Sequence, residues 1–175
     1  LIAENRTTID DFGYPLDMAL SPDGIKMAVS YMRVNGNKIS THIAFYNFGS
    51  AGQMELNNQV GELNVDDVLA PQIFFCDNST AVAVRTDGFT VFSGSQSPKE
   101  KKTVKFDQEI ISTFHDGNRI GFVFDGGDSG HKYLMKVYNT GGKNTMQKYF
   151  DLQYNSITLQ KDKIVLFNEK EFAIY

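Results

Sequence analysis

Carboxylates are the side chains of this sequence whose spacing best suits chemistry. Asp17, Asp66 and Asp67, Asp107 and Glu109, and Asp151 recur along 175 residues, each just before or within a short apolar stretch. If those stretches are inner strands around a common axis, Asp17, Asp67, Glu109 and Asp151 converge on one mouth. Two carboxylates so placed can cleave a glycosidic bond, one protonating the leaving oxygen while the other acts as base or nucleophile. The same oxygens would suit a hard cation. The preferred alternative is plainer: a repeating sequence reuses acidic residues at polar strand starts, where they cap loops and keep an edge soluble. No catalytic, cofactor-binding or metal residue is assigned, and the four carboxylates stand as channel-mouth candidates only.

The other reactive side chains point to less. Cys76 is the single cysteine, which excludes an internal disulfide, and it follows Ile73-Phe74-Phe75. In that setting it is expected to pack as a small hydrophobe. His42, His115 and His131 show no metal-ligand spacing. Asp125-Gly126-Gly127-Asp128-Ser129-Gly130 is rich in oxygen but lacks the alternating ligands and terminal Glu of an EF-hand loop, and reads as a hairpin connection. There is no Gly-x-Ser-x-Gly elbow and no glycine-rich loop opening a helix. Neither a cofactor nor a metal is expected. The net charge of −4, with Lys and Arg scattered apart from Lys99 to Lys105, argues against nucleic acid as a partner. That run, interrupted by acid and Thr, reads as a solvated edge strand.

The elements that must hold these residues repeat. Ala44-Phe45-Tyr46-Asn47-Phe48-Gly49 returns as Thr90-Val91-Phe92-Ser93-Gly94 and as Lys136-Val137-Tyr138-Asn139-Thr140-Gly141. The aromatic anchors Tyr46, Phe92 and Tyr138 are separated by 46 residues each time. A fourth copy, Phe172-Ala173-Ile174-Tyr175, stops at the aromatic. Upstream of each anchor lies a hairpin pattern with turn residues that accept positive φ: Ser21-Pro22-Asp23-Gly24, Asp77-Asn78-Ser79, His115-Asp116-Gly117-Asn118 and Gln160-Lys161-Asp162-Lys163. Outer strands are expected near Gln59 to Val65, Lys101 to Phe106 and Met146 to Asp151. No segment keeps helical apolar spacing over three turns, and the 14 Phe and 8 Tyr suit pleated, half-buried surfaces.

Four strands in about 40 to 50 residues match one blade of a β-propeller. The chain is therefore read as all-β, one propeller-like domain of about four consecutive four-stranded blades, with units near 14–65, 66–106, 107–151 and 152–175. A β-sandwich is the rival, but nothing in a sandwich requires one motif at a constant interval. The last unit is one strand short, and Asn5 to Ile9 would supply a strand if the ring closed with four blades. The preferred reading is a partial propeller, whose bare blade faces predict self-association. No apolar run approaches the roughly 18 residues of a membrane span. The chain begins at Leu1 rather than Met, and the expectation drawn from that is a segment from which a leader or anchor has been removed.

Leu16 to Ser30, with Ser21-Pro22-Asp23-Gly24 at its centre and Met27-Ala28-Val29 after it, resembles the hairpin of WD-repeat and YVTN-like propeller blades. Ile43 to Gly49 is similar to an uncharacterised, mostly clostridial bacterial family whose members resemble propellers tethered to the membrane by an N-terminal helix. The likeness is close over residues 14–52 and extends to the other units in pattern only. It implies an extracytoplasmic, membrane-tethered protein and carries no catalytic residues; the WD dipeptide itself is missing. The function expected from these readings is a non-enzymatic binding or scaffold module for an unknown protein or carbohydrate. The alternatives are a carbohydrate-active enzyme using inner-strand carboxylates and a structural spacer domain.

Overall fold

Alternating apolar residues punctuated by glycine-containing turns form strands joined as hairpins. The computed structural model describes residues 8–49 and 59–175. A single helical turn, α1 (Ile9–Phe12), precedes the first sheet, made of β1 (Tyr14–Leu20), β2 (Lys26–Asn35), β3 (Lys38–Asn47) and β4 (Gln59–Asp66). The second sheet holds β5 (Gln72–Phe75), β6 (Thr80–Arg85), β7 (Gly88–Ser93) and β8 (Lys99–Lys105). The third holds β9 (Ser112–Asp116), β10 (Arg119–Asp125), β11 (Tyr133–Asn139) and β12 (Asn144–Phe150), and the fourth β13 (Ser156–Gln160), β14 (Lys163–Phe167) and β15 (Phe172–Ile174). Every sheet is an antiparallel meander in chain order. A Greek-key sandwich would instead send successive strands to different sheets, so the sandwich alternative falls and the propeller-like all-β fold stands.

Two compact units divide the chain, Leu1–Lys105 and Phe106–Tyr175. In the first, Ala28, Ile43 and Phe45 of the first sheet pack on Ile73, Ala81, Ala83 and Phe92 of the second. The Phe45 and Phe92 rings lie 4.9 Å apart, and burying each contributes about 1.5–3 kcal/mol. The strand period of two sends the alternate residues Val29, Tyr31, Ala44 and Tyr46 to the opposite face, where Phe12, Met27 and Phe48 cover them. In the second unit, Phe114, Val123, Met135 and Val137 of the third sheet pack with Leu159, Ile164 and Leu166 of the fourth. Gly121 is required there by close approach, because a Cβ would lie 2.0 Å from the Phe114 ring.

The repeated aromatic has a common structural meaning. Tyr46, Phe92 and Tyr138 fall on β3, β7 and β11, the third strand of their sheets, and the pairing to the outer strand shifts register at each: between Phe45 and Tyr46, Val91 and Phe92, and Val137 and Tyr138. Such a shift bends the strand and increases its twist. The polar residue that follows turns the chain in two copies, with Asn47 Oδ1 accepting from Gly49 N at 2.9 Å and Asn139 Oδ1 from Gly141 N at 3.0 Å.

Two details differ from the sequence reading. The last hairpins are tighter than four-residue turns: only Gly117-Asn118 and Lys161-Asp162 separate their strands, with Gly117 at φ 54° and Lys161 at φ 55°. The N-terminal stretch is the other. Asn5, Arg6 and Thr7 lie outside the described residues, while Thr8 caps α1 by accepting from Asp11 N and Ile9 opens the helical turn. Ile9 is therefore helical rather than part of a strand. In the fourth sheet, β15 pairs with β14 and, among the described residues, with no strand on its other side. Phe172 and Ile174 stand 70% and 53% exposed.

Candidate functional site

Of the four candidate carboxylates Asp17 lies in a strand and Asp67, Glu109 and Asp151 in connections, and they have different roles. Asp17 lies on β1, where the register shifts between Pro15 and Asp17. Its Oδ2 accepts from the backbone N of Ile73 at 2.8 Å, tying β1 to β5. Asp67 follows β4 with φ 57°, and its N–H donates to Ile39 O at 3.0 Å. Asp17 and Asp67 thus sit at opposite edges of the first sheet, three strand spacings or roughly 14 Å across. Glu109 is exposed in the connection before β9, and Asp151 follows β12. These two also flank opposite edges of one sheet. Glycosidase carboxylate pairs stand about 5–9.5 Å apart, less than the spacing of Asp17 and Asp67 across the first sheet.

Asp151 is the candidate with the richest surroundings. Its Oδ1 accepts from Lys132 N at 2.9 Å and its Oδ2 from His131 Nδ1 at 2.8 Å. These bonds hold the carboxyl below its ordinary range, the His131 contact contributing most. They also pin the connection between β10 and β11, whose turn is closed by Gly126 N donating to Lys132 O at 2.9 Å and Gly127 N to Asp125 Oδ1 at 2.8 Å. The His131 ring stacks on Tyr149 with centroids 5.8 Å apart and planes at 24°. With Nδ1–H donated to the carboxylate, Nε2 is the ring's remaining polar atom. His131, Asp151 and Tyr149 are all exposed. The trio is an aromatic surface bordered by an oriented imidazole and a carboxylate. Ser129 Oγ accepts from the His131 backbone N at 3.2 Å, a bond within the loop.

Two further groups escaped the sequence reading. His42 shows no metal-ligand spacing in the sequence, yet it is 1% exposed on β3. Its Nδ1 lies 2.8 Å from Asn64 Oδ1, an oxygen that also accepts from Arg33 Nη1 at 3.1 Å. His42 Nε2 is buried and, among the described residues, without a hydrogen-bond partner, with Glu62 Oε2 at 3.9 Å. Burial pushes this imidazole below its ordinary pKa. The only signal in the sequence is a histidine inside an apolar strand; its partners appear only once β2, β3 and β4 are in register. The second group is Arg85, also buried, which forks onto Asp87 at 2.8 and 2.9 Å and reaches Thr90 Oγ1 at 3.2 Å. It staples the hairpin between β6 and β7. Cys76 is half-buried, and burial pushes its thiol up to about 12. It is therefore a protonated packing group, not a thiolate. Among the described residues no group of three or more His, Cys, Asp and Glu is arranged to hold a metal ion.

Comparison with known proteins places the chain by family and by fold. A model described as a family of unknown function (DUF5711) matches residues 1–175, and the chain belongs to that family. No curated protein matches it. Among solved structures, hydrazine synthase of Kuenenia stuttgartiensis is similar, with a TM-score of 0.56 and 11% identity over 92% of this chain and 58% of the other. The β-propeller domain of the Trilobed protease from Pyrococcus furiosus, described as having an open velcro topology, has a TM-score of 0.54 at 15% identity, over 93% of this chain and 54% of that one. An acylaminoacyl peptidase gives 0.51 at 14% identity, over 94% and 32%. The chain spans little more than half of the first two structures. At such identities the likeness establishes the propeller-like fold alone.

Proposed function

We propose that this member of the DUF5711 family is a non-enzymatic binding module, and that its ligand is a carbohydrate held at the His131–Tyr149–Asp151 surface. One observation carries the reading. An exposed ring, stacked on an imidazole and bordered by a carboxylate whose orientation two hydrogen bonds fix, offers an apolar platform beside polar groups. That pairing suits a ligand with one flat apolar side and several hydroxyls. The carboxylates that catalysis would require support binding rather than turnover, since Asp17 and Asp151 are engaged with the protein's own amides.

The experiment is a glycan panel screened for both binding and hydrolysis with the unaltered protein and with Tyr149→Ala and Asp151→Asn. Binding that Tyr149→Ala abolishes, without turnover, is the expected result. Turnover lost on Asp17→Asn and Glu109→Gln would transfer the assignment to a carbohydrate-active enzyme. An extracytoplasmic, membrane-tethered setting belongs to the same proposal and rests on the resemblance of residues 14–52. Among the described residues no helix is long and apolar enough to cross a membrane. A gene sequence with neither leader nor membrane helix upstream of Leu1 would sink that setting.

A further inference from the structure

The face of the first sheet that carries Tyr31, His42 and Tyr46 is covered in part by α1, and the contact is built around one titratable group. Phe12, the last residue of α1, sets its ring 5.6 Å from the His42 ring in an edge-on contact and 5.5 Å from Tyr31. Arg33 of β2 holds the turn by its backbone: Nη2 donates to Asp11 O at 2.7 Å and Nε to Phe12 O at 3.2 Å. The third arm of the same guanidinium donates to Asn64 Oδ1 at 3.1 Å. That oxygen is also the partner of His42 Nδ1, so helix turn, arginine, asparagine and histidine form one connected set. Gly13, which ends α1 at φ 97°, fits so closely that a Cβ would lie 2.3 Å from Met32 O.

The tautomer follows from this geometry. Arg33 has only donors, so the Asn64 atom it meets is an acceptor, and His42 Nδ1 must carry the proton it shares with that atom. Nε2 is then a bare lone pair, buried and, among the described residues, unpartnered. We propose that α1 is a pH-sensitive clasp, in which protonation of His42 at Nε2 releases the Ile9–Phe12 turn from the first sheet.

Every group facing the ring bears on the outcome. From β2, Arg33 repels an imidazolium and the Tyr31 ring lies 5.9 Å from the His42 ring, tilted by 36°; further along β3, Tyr46 has its phenol pushed well above its ordinary range by burial and by Tyr31. From β4, Glu62 would attract the new charge, but it lies 3.9 Å from Nε2 and is itself exposed. From α1, the Asp11 carboxylate is engaged by the Thr8 hydroxyl at 2.6 Å, leaving Phe12 as the group against the ring. A charged Nε2–H in this setting has, among the described residues, no hydrogen-bond acceptor in reach until the ring or Glu62 moves. Movement of the ring displaces Phe12. Burial lowers the docked imidazole's pKa from 6.5, so the released state takes the proton first. Docking is full above that value and is lost as pH falls through the interval below it.

Nuclear magnetic resonance on the intact chain tests the clasp. Between about pH 7.5 and 5, the Phe12–His42 ring-to-ring NOE should fade and the Gly13 amide resonance should move. The docked-to-released ratio should fall by up to about tenfold per pH unit below 6.5. His42→Gln keeps a donor toward Asn64 and cannot titrate, so the Gly13 shift should become independent of pH. The proposal is overturned if the Phe12–His42 NOE persists unchanged while His42 titrates, or if Gly13 keeps its pH dependence in His42→Gln. Should that variant not fold, the unaltered protein decides. Coincident midpoints for the His42 ring and the Gly13 amide support the clasp, and separate midpoints overturn it. Loss of dispersion throughout the first unit also overturns it, because that would be acid unfolding rather than release of one turn.

Discussion

Replacing Asp17 by Ala separates a structural carboxylate from a catalytic one. Asp17 Oδ2 accepts from the Ile73 amide at 2.8 Å, and Ile73 is buried in the core shared by the first two sheets. A hydrogen bond to a charged group contributes about 1.5–3 kcal/mol, and a buried amide left without a partner costs a similar amount. Asp17→Ala should therefore destabilise the first unit by about 2 kcal/mol, with a melting temperature lower by roughly 8–16 °C. Asp17→Asn retains an acceptor oxygen and loses only the charge, so about 1 kcal/mol is expected. Urea unfolding followed by circular dichroism gives the global figure, and hydrogen exchange at the Ile73 amide reports the bond itself. An Asp17→Ala protein within about 0.5 kcal/mol of the unaltered chain, a range typical of surface substitutions, with Ile73 still protected, would refute the structural assignment. Lost ligand turnover in that same variant would return Asp17 to the catalytic candidates.

Other expectations follow from particular groups. The Asp151 carboxyl is held low by His131 and Lys132, so its pinning of the loop is complete above its ordinary value of 3.8 and is lost as pH falls through the lowered one. Exchange at the Lys132 amide should rise over that acidic range, and Asp151→Ala should raise it at neutral pH. Cys76, with its thiol pushed up to about 12, should react with a disulfide reagent at pH near 8 on the order of a thousandfold more slowly than in urea; equal rates would mean that the site is open. Gly121→Ala sets a Cβ into the Phe114 ring and should cost the second unit at least about 1–3 kcal/mol, while the exchange pattern of β2 and β3 stays unchanged. The bare residues of β15 predict self-association at micromolar concentration, which Phe172→Lys should reverse. Light scattering that finds the unaltered chain monomeric would end that expectation.

The fold was legible because its signals are local. Hairpin turns such as Ser21-Pro22-Asp23-Gly24 and the short β-branched apolar run of Thr80 to Arg85 determine strands without any distant partner, and the interval from Tyr46 to Phe92 to Tyr138 marks one strand in each of three sheets. What the interval does not disclose is why those positions recur. The register shift at each aromatic is a property of the pairing between third and outer strands, which no single segment encodes. The candidate site was less legible. Asp151 stood out by its charge, but His131 and Tyr149 join it across the β10–β11 connection and β12, and their meeting depends on a loop held by backbone bonds. His42 was harder still, because three strands must align before Arg33, Asn64 and Glu62 surround it. At the N-terminus, Ile9 shows apolar character that suits a strand, while Thr8 and the acidic pair Asp10 and Asp11 form a helix cap that overrides it.

Among the described residues β15 has no strand on its outer side, and this gives the sheets a polarity of growth. The strand β8 carries Lys99, Lys101, Lys102 and Lys105, β12 carries Lys148, and β4 carries Glu62 and Asp66, charges that discourage another strand from pairing beside them. The sequence of β15 is Phe-Ala-Ile and bears none. Among the outer edges β4, β8, β12 and β15, a recruited strand should therefore add at β15, extending the fourth sheet and leaving the charged outer margins of the others as they are.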